Sequence, residues 1–117
     1  MSDGPTDELL GRVADRLKAL ADPTRLRILH ALERGERTVS DLLGEIGGSQ
    51  ANVSKHLARM RLAGLVEARR EGVNVFYHVI DPTAFAVCRT VCDGLEARAK
   101  SERTLLRSAR NRIGGRR

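Results

Sequence analysis

Between Ser49 and Arg70 the chain gathers side chains suited to reading a nucleic-acid duplex. The amides of Gln50 and Asn52 can pair bidentately with an adenine edge in a major groove. Ser49 and Ser54 offer hydroxyls to phosphates or bases, and Lys55, His56 and Arg59 can approach phosphates or guanine. Arg69, Arg70 and Asn74 follow in a segment placed to lie over the flanking backbone or minor groove. In the stretch from Ser49 to Arg70 five lysines and arginines (Lys55, Arg59, Arg61, Arg69 and Arg70) face one acid, Glu67. For any single residue, the solvated side of an amphipathic helix explains as much. It does not explain why a glycine turn precedes this small polar run and a basic hairpin follows it.

A second candidate chemistry lies at Cys88 and Cys92. Four apart on one helix face, their Cβ atoms stand about 5–6 Å from each other. That spacing suits two thiolates on one soft ion, since Zn–S bonds are about 2.3 Å. It is too wide for a bond within the helix, which needs about 3.8 Å between Cβ atoms. In a twofold dimer two such pairs can supply up to four thiolates, or an intersubunit disulfide. Both positions also fall on an apolar stripe, where cysteine packs as a small hydrophobe. Packing, a transition-metal or soft-ion site (zinc, nickel or an arsenite-type ion) and thiol oxidation therefore stand side by side. No Ser-His-Asp or Cys-His pairing and no phosphate-cradling glycine loop is readable, so an enzyme is not expected.

Composition bounds the rest. A chain of 117 residues suggests one domain with a modest core, so leftover apolar helix faces are expected to find a partner subunit. Aromatics make up 3%, which argues against a stacking platform for single strands. The formal charge is +6, but six arginines against Glu102 after Lys100 supply most of it. Bulk basicity thus says little, and the local charge around Ser49–Arg70 says more. No apolar run approaches the length of a membrane span, no secretory leader is readable, and two cysteines make no secreted disulfide scaffold. A cytoplasmic protein with no membrane association is expected.

The positioning elements follow from caps and periodicity. Residues 1–5 read as a disordered arm. Thr6 caps a first helix carrying Leu9, Val13, Leu17 and Leu20 on one stripe. Asp22-Pro23 opens a second helix that Gly35 stops. Thr38, with Asp41 three residues on, caps a short third helix that Gly47-Gly48 breaks. Ser49 caps a fourth, with Val53, Leu57, Met60 and Leu62 expected inward, and Gly64 ends it. Residues 65–70 and 75–80 read as a hairpin around a turn in which Gly72 and Asn74 tolerate left-handed backbone. Asp81-Pro82 opens a fifth helix, with Phe85, Cys88, Val91, Cys92 and Leu95 on one face and a polar continuation to about Ser108. His30 is expected to pack or cap near the end of the second helix. The fold expected is mainly α with a small β-hairpin: a winged helix-turn-helix of five helices and a two-stranded wing over residues 6–100. Residues 101–117 read as a basic, partly disordered tail. Two short helices joined by a glycine turn leave one competing role, that of a protein-interaction module.

Three stretches resemble the ArsR/SmtB regulators. Leu17-Lys-Ala-Leu-Ala-Asp-Pro-Thr-Arg-Leu-Arg-Ile-Leu29 looks like that family's second-helix signature, Ser49 to Leu57 like its recognition helix, and Arg69 to Tyr77 like its wing. The resemblance implies a homodimer through the first and fifth helices, bound to a partly palindromic double-stranded DNA operator. It also implies a regulator, usually a repressor, that releases DNA when a metal binds, although activators and non-metal sensors occur. The chain departs from two familiar metal patterns. Thr38-Val39-Ser40-Asp41-Leu42 stands where some members read Cys-Val-Cys-Asp-Leu, and Thr83 stands where others carry a histidine after Asp81.

Overall fold

Side-chain oxygens set the start of each helix in the first half of the chain. In the computed structural model, which describes residues 4–114, Thr6 Oγ1 accepts from the Leu9 N–H at 3.1 Å and starts α1 (Asp7–Leu20). Asp22 accepts from the Arg25 N–H at 3.0 Å and, with Pro23 in the first turn, starts α2 (Pro23–Glu33). Thr38 and Asp41 exchange hydrogen bonds at 3.1 and 3.0 Å in a complete capping box that starts α3 (Val39–Ile46). Ser49 Oγ accepts from the Asn52 N–H at 3.1 Å and starts α4 (Gln50–Leu62). Each bond satisfies a donor that the helix itself leaves without a partner.

Between α3 and α4 the chain reverses in three residues. Gly47 and Gly48 take φ of 76° and 91°, a region that side chains with a Cβ rarely adopt. Strands β1 (Val66–Glu71) and β2 (Asn74–Val79) then pair antiparallel, from Val66 opposite Val79 to Glu71 opposite Asn74. The connecting loop is only Gly72-Val73, with Gly72 at φ 61°, as the first position of a tight hairpin turn requires. Asn74 belongs to the strand and keeps negative φ, so the left-handed role expected of it falls to Gly72 alone.

Two compact units are distinguishable, one up to Phe85 and the other from Ala86. The first holds the core: Ile28 and Leu29 from α2, Leu42 from α3, Val53, Leu57 and Met60 from α4, and Leu65 and Val66 at the foot of the hairpin, all essentially sealed from solvent. The second is the body of α5 (Thr83–Gly114), whose start is marked by the Asp81 carboxylate accepting from the Thr83 N–H at 3.1 Å. This helix passes the Ser108 limit expected from its polarity and includes residues 101–114 of the expected tail. Residues 1–3 and 115–117, which include parts of the expected arm and tail, lie outside the described residues.

One inward expectation is overturned, and of the two roles offered for His30 packing is not the one taken. Leu62 is 91% exposed, because a face set by Val53, Leu57 and Met60 turns away from position 62 at 3.6 residues per turn. His30 is exposed on α2 rather than packed. Leu9, Val13 and Leu17 stay open to solvent within a single chain, and of that α1 stripe Leu20 alone is buried.

Candidate nucleic-acid interface

Burial of Val53, Leu57 and Met60 against α2 and α3 leaves the opposite side of α4 in solvent. Asn52, Ser54, Lys55 and Arg59 are all exposed on that side, and Gln50, in line with the buried stripe, is exposed at the first turn together with the capping Ser49. Ala51 and Ala58 add no bulk between them, so the longer side chains stand clear of the helix. The acids Glu36, Asp41 and Glu45 lie outside α4 altogether. Such a face carries amide, hydroxyl and cationic donors with no acid of its own, which is the chemistry that phosphates and base edges accept.

His56 does not belong to this face. Its side chain is 14% exposed, with Nδ1 at 3.4 Å from Arg25 Nη1 and Nε2 at 3.8 Å from Asp22. Positions 53, 56, 57 and 60 repeat at i, i+3, i+4 and i+7, the spacing of a helix face directed inward. That spacing is a readable signal, and polarity of the side chain obscures it. Arg25, missed by sequence reading, is the buried cation beneath α4 and also donates from Nη2 to the Lys18 carbonyl at 3.2 Å. Asp22 is held below the usual carboxylate range, first by the Arg25 N–H bonded to it and then by the charges of His56 and Arg25. This junction sets the seat of α4 on α1 and α2 rather than its outward chemistry.

In the hairpin, the two arginines behave differently. Arg69 is tied down: its guanidinium bonds Glu36 and Glu71, and its carbon lies 5.0 Å from the centre of the Phe76 ring. Arg70 and Asn74 are exposed. Wing and helical body are further joined by backbone, since the Arg37 and Tyr77 N–H groups donate to each other's carbonyls at 3.2 and 2.8 Å. Glu36 and Arg37 are functional-site neighbours that sequence reading did not single out. Their partners in the hairpin, Arg69 and Tyr77, lie more than thirty residues away, and no local pattern marks them.

Cys88 is half-buried and Cys92 exposed on α5, and neither forms a disulfide. Among the described residues, no group of three or more His, Cys, Asp or Glu side chains is placed to hold a metal ion. A closed ligand set is therefore not supplied by the described part of one chain. No described helix is long and apolar enough to cross a membrane.

Comparison with known proteins gives this geometry a context. Residues 22–68 match the profile of bacterial regulatory proteins of the arsR family. A probable mercury resistance operon repressor of Streptomyces lividans is 48% identical over 65 residues, covering 56% of this chain and 52% of that protein. An HTH-type transcriptional regulator of Methanocaldococcus jannaschii is 37% identical over 81 residues, covering 68% of this chain and 91% of that protein. The solution structure of a homodimeric winged helix-turn-helix DNA-binding domain from Mycobacterium bovis, a possible ArsR-family regulator, aligns with a TM-score of 0.67 at 37% identity. That alignment covers 79% of this chain and 91% of the domain. The matches to the first curated relatives span between 52% and 64% of those proteins' own length. The five helices and hairpin seen here are thus the winged helix-turn-helix expected from sequence, and these relatives are regulators rather than enzymes.

Proposed function

Because the chain belongs to the arsR family of bacterial regulatory proteins, we propose that it is a homodimeric transcriptional regulator, most simply a repressor, that binds operator DNA with α4 in the major groove. One observation carries the proposal. Asn52, Ser54, Lys55 and Arg59 share the exposed side of a helix whose other side is sealed into the core, and Gln50 is exposed at its first turn. Arg70 and Asn74 on the hairpin reach the neighbouring backbone, while Arg69 holds the hairpin in place. Two copies related by a twofold axis would present their α4 helices about 34 Å apart, one turn of B-DNA.

Pairing has its own support. Leu9, Leu10, Val13 and Leu17 on α1 are 44–49% exposed, and Val91 and Leu95 on α5 are 57% and 64% exposed. Fully burying a side chain of this kind contributes about 1.5–3 kcal/mol. Sedimentation of the purified chain should give a dimer, and Leu9→Glu with Leu95→Glu should give a monomer of much lower DNA affinity.

The deciding experiment is a competition shift assay with promoter DNA and a scrambled duplex. Preference for the promoter sequence, weakening steeply with salt, is the expected result. Equal affinity for both duplexes, or salt-insensitive binding, would favour a protein-interaction role instead. Arg70→Ala should weaken binding to every duplex alike, whereas Gln50→Ala should relax base preference.

As effector we propose a metal ion (zinc, nickel or an arsenite-type ion) held by Cys88 and Cys92. The relative named for mercury resistance and the i, i+4 thiol pair support that assignment. Two thiolates form only part of a typical ligand set, so a second chain would have to complete it. Cys88→Ser with Cys92→Ser should abolish metal-induced release of DNA. If release by peroxide is lost in that variant but release by zinc, nickel and arsenite never occurred, the thiols sense oxidation.

A further inference from the structure

The C-terminal half of α5 carries a basic face that the reading of α4 and the hairpin does not use. Lys100, Arg103, Arg107 and Arg110 recur at i, i+3, i+7 and i+10, which at about 100° per residue places all four within an arc of about 80°. All four are exposed, and no acidic partner for any of them occurs among the described residues. The nearest acid in sequence, Glu102, lies on another side of the helix and sits 3.4 Å from Arg98. Asp93 and Glu96 lie on the same face one to two turns before Lys100, so the stripe itself, from Lys100 to Arg110, holds no acid.

We propose that this stripe is a second, sequence-independent DNA surface, with Lys100, Arg103, Arg107 and Arg110 holding backbone phosphates outside the bases that α4 reads. The proposal rests on the operator-binding reading. Charge complementarity identifies the occupant. The stripe extends about 15 Å along the helix axis, and duplex DNA presents one negative charge per about 1.7 Å of its own axis. A row of four cations with nothing to neutralise them matches such an array, and arginine forks bind phosphate oxygens in pairs. An anionic membrane is the other polyanion to weigh. A helix lying on a bilayer needs an unbroken apolar face. Here Leu95, Leu105 and Leu106 are interrupted by Arg98, Glu102 and Arg112 on the same side of α5, and the helix has no aromatic residue beyond Phe85.

The test compares two double variants of the full chain with equal loss of charge. Arg103→Gln with Arg107→Gln removes two cations from the stripe; Arg98→Gln with Arg112→Gln removes two from outside it. Glutamine preserves helix propensity, and circular dichroism checks that α5 is intact. Binding to a long promoter duplex and to a long scrambled duplex is measured between 50 and 200 mM salt. The stripe variant should flatten the slope of log K against log salt by about 1.8 per chain, or about 0.9 for each phosphate no longer neutralised, on both duplexes. The off-stripe variant should leave the slope near wild type, and preference for the promoter should survive in both. An equal drop in the two variants, or none in either, overturns the stripe, as does loss of binding to phosphatidylserine vesicles without any change on DNA. If the wild-type chain shows no preference for the promoter, the operator reading fails, while the scrambled duplex still decides the stripe.

Discussion

Arg69 and Glu36 meet fork to fork, Nε and Nη2 of the guanidinium donating to the two carboxylate oxygens at 3.1 and 3.0 Å. The pair joins the hairpin to the loop between α2 and α3, thirty-three residues away in the chain. Planar, two-point pairing of this kind fixes orientation as well as distance. Arg69, expected from sequence to touch DNA, thus also braces the hairpin, and Arg70 beside it makes no such bond to Glu36.

Glu36→Gln should therefore loosen the hairpin without unfolding the protein. The Arg69 hydrogen bonds, and then its charge, hold the Glu36 carboxyl below its ordinary value of 4.5. A carboxyl depressed in the folded state stabilises the fold above its unfolded value and loses that contribution as pH falls through the folded one. Protection of the Arg37 and Tyr77 N–H groups from exchange, taken relative to their intrinsic rates at each pH, should be high at neutral pH and fall once pH drops below the usual carboxylate range. In Glu36→Gln that protection should already be low at pH 7 and change little with acid. Unchanged protection in the variant would show that the backbone bridge alone orients the hairpin.

Ser49 has two roles that can be separated. Its hydroxyl caps α4, so Ser49→Ala should cost about 1 kcal/mol in denaturant unfolding. Ser49→Asp keeps a capping acceptor and should restore stability, yet it places a negative charge where phosphate is expected and should weaken DNA binding. Equal DNA affinity of Ser49→Asp and wild type would remove Ser49 from the interface.

His56 and Asn52 make a matched comparison on one helix. Asn52→Ala should alter which operator bases are preferred while leaving unfolding nearly unchanged. His56→Ala removes a side chain seated against Arg25 and Asp22, so it should lower the unfolding midpoint and leave base preference as it was. A changed base preference in His56→Ala would return the imidazole to the groove.

Leu57 is completely buried at the centre of α4. Leu57→Ala should destabilise the protein by about 2–5 kcal/mol, the usual cost of such a core truncation. Loss of DNA binding should then follow the fraction unfolded, measured by denaturant titration on the same samples.

Legibility in this sequence follows the range of the interaction. Thr6, Asp22, Thr38 and Ser49 are readable as helix starts because a cap is a bond between residues three apart. The core positions Val53, Leu57 and Met60 are readable because helical period alone selects them. Leu62 is misplaced unless the same period is applied strictly, and His56 is misplaced if a polar side chain is assumed to face water. Glu36–Arg69 and Arg25–His56 are beyond reach, since each pair spans about thirty residues and forms only after α2, α4 and the hairpin have packed. The solvent side of α4 is legible as a set of residues, but which arginine of the hairpin is free is not.

The backbone bridge between Arg37 and Tyr77 has one more consequence. Its two hydrogen bonds belong to the main chain, so drift in side-chain identity at either position leaves the anchorage whole. Proline, which lacks the donor, is the substitution that would unhitch the hairpin. Substitutions at positions 37 and 77 other than proline should thus leave this bridge whole, while the Glu36–Arg69 pair beside it still depends on its side chains.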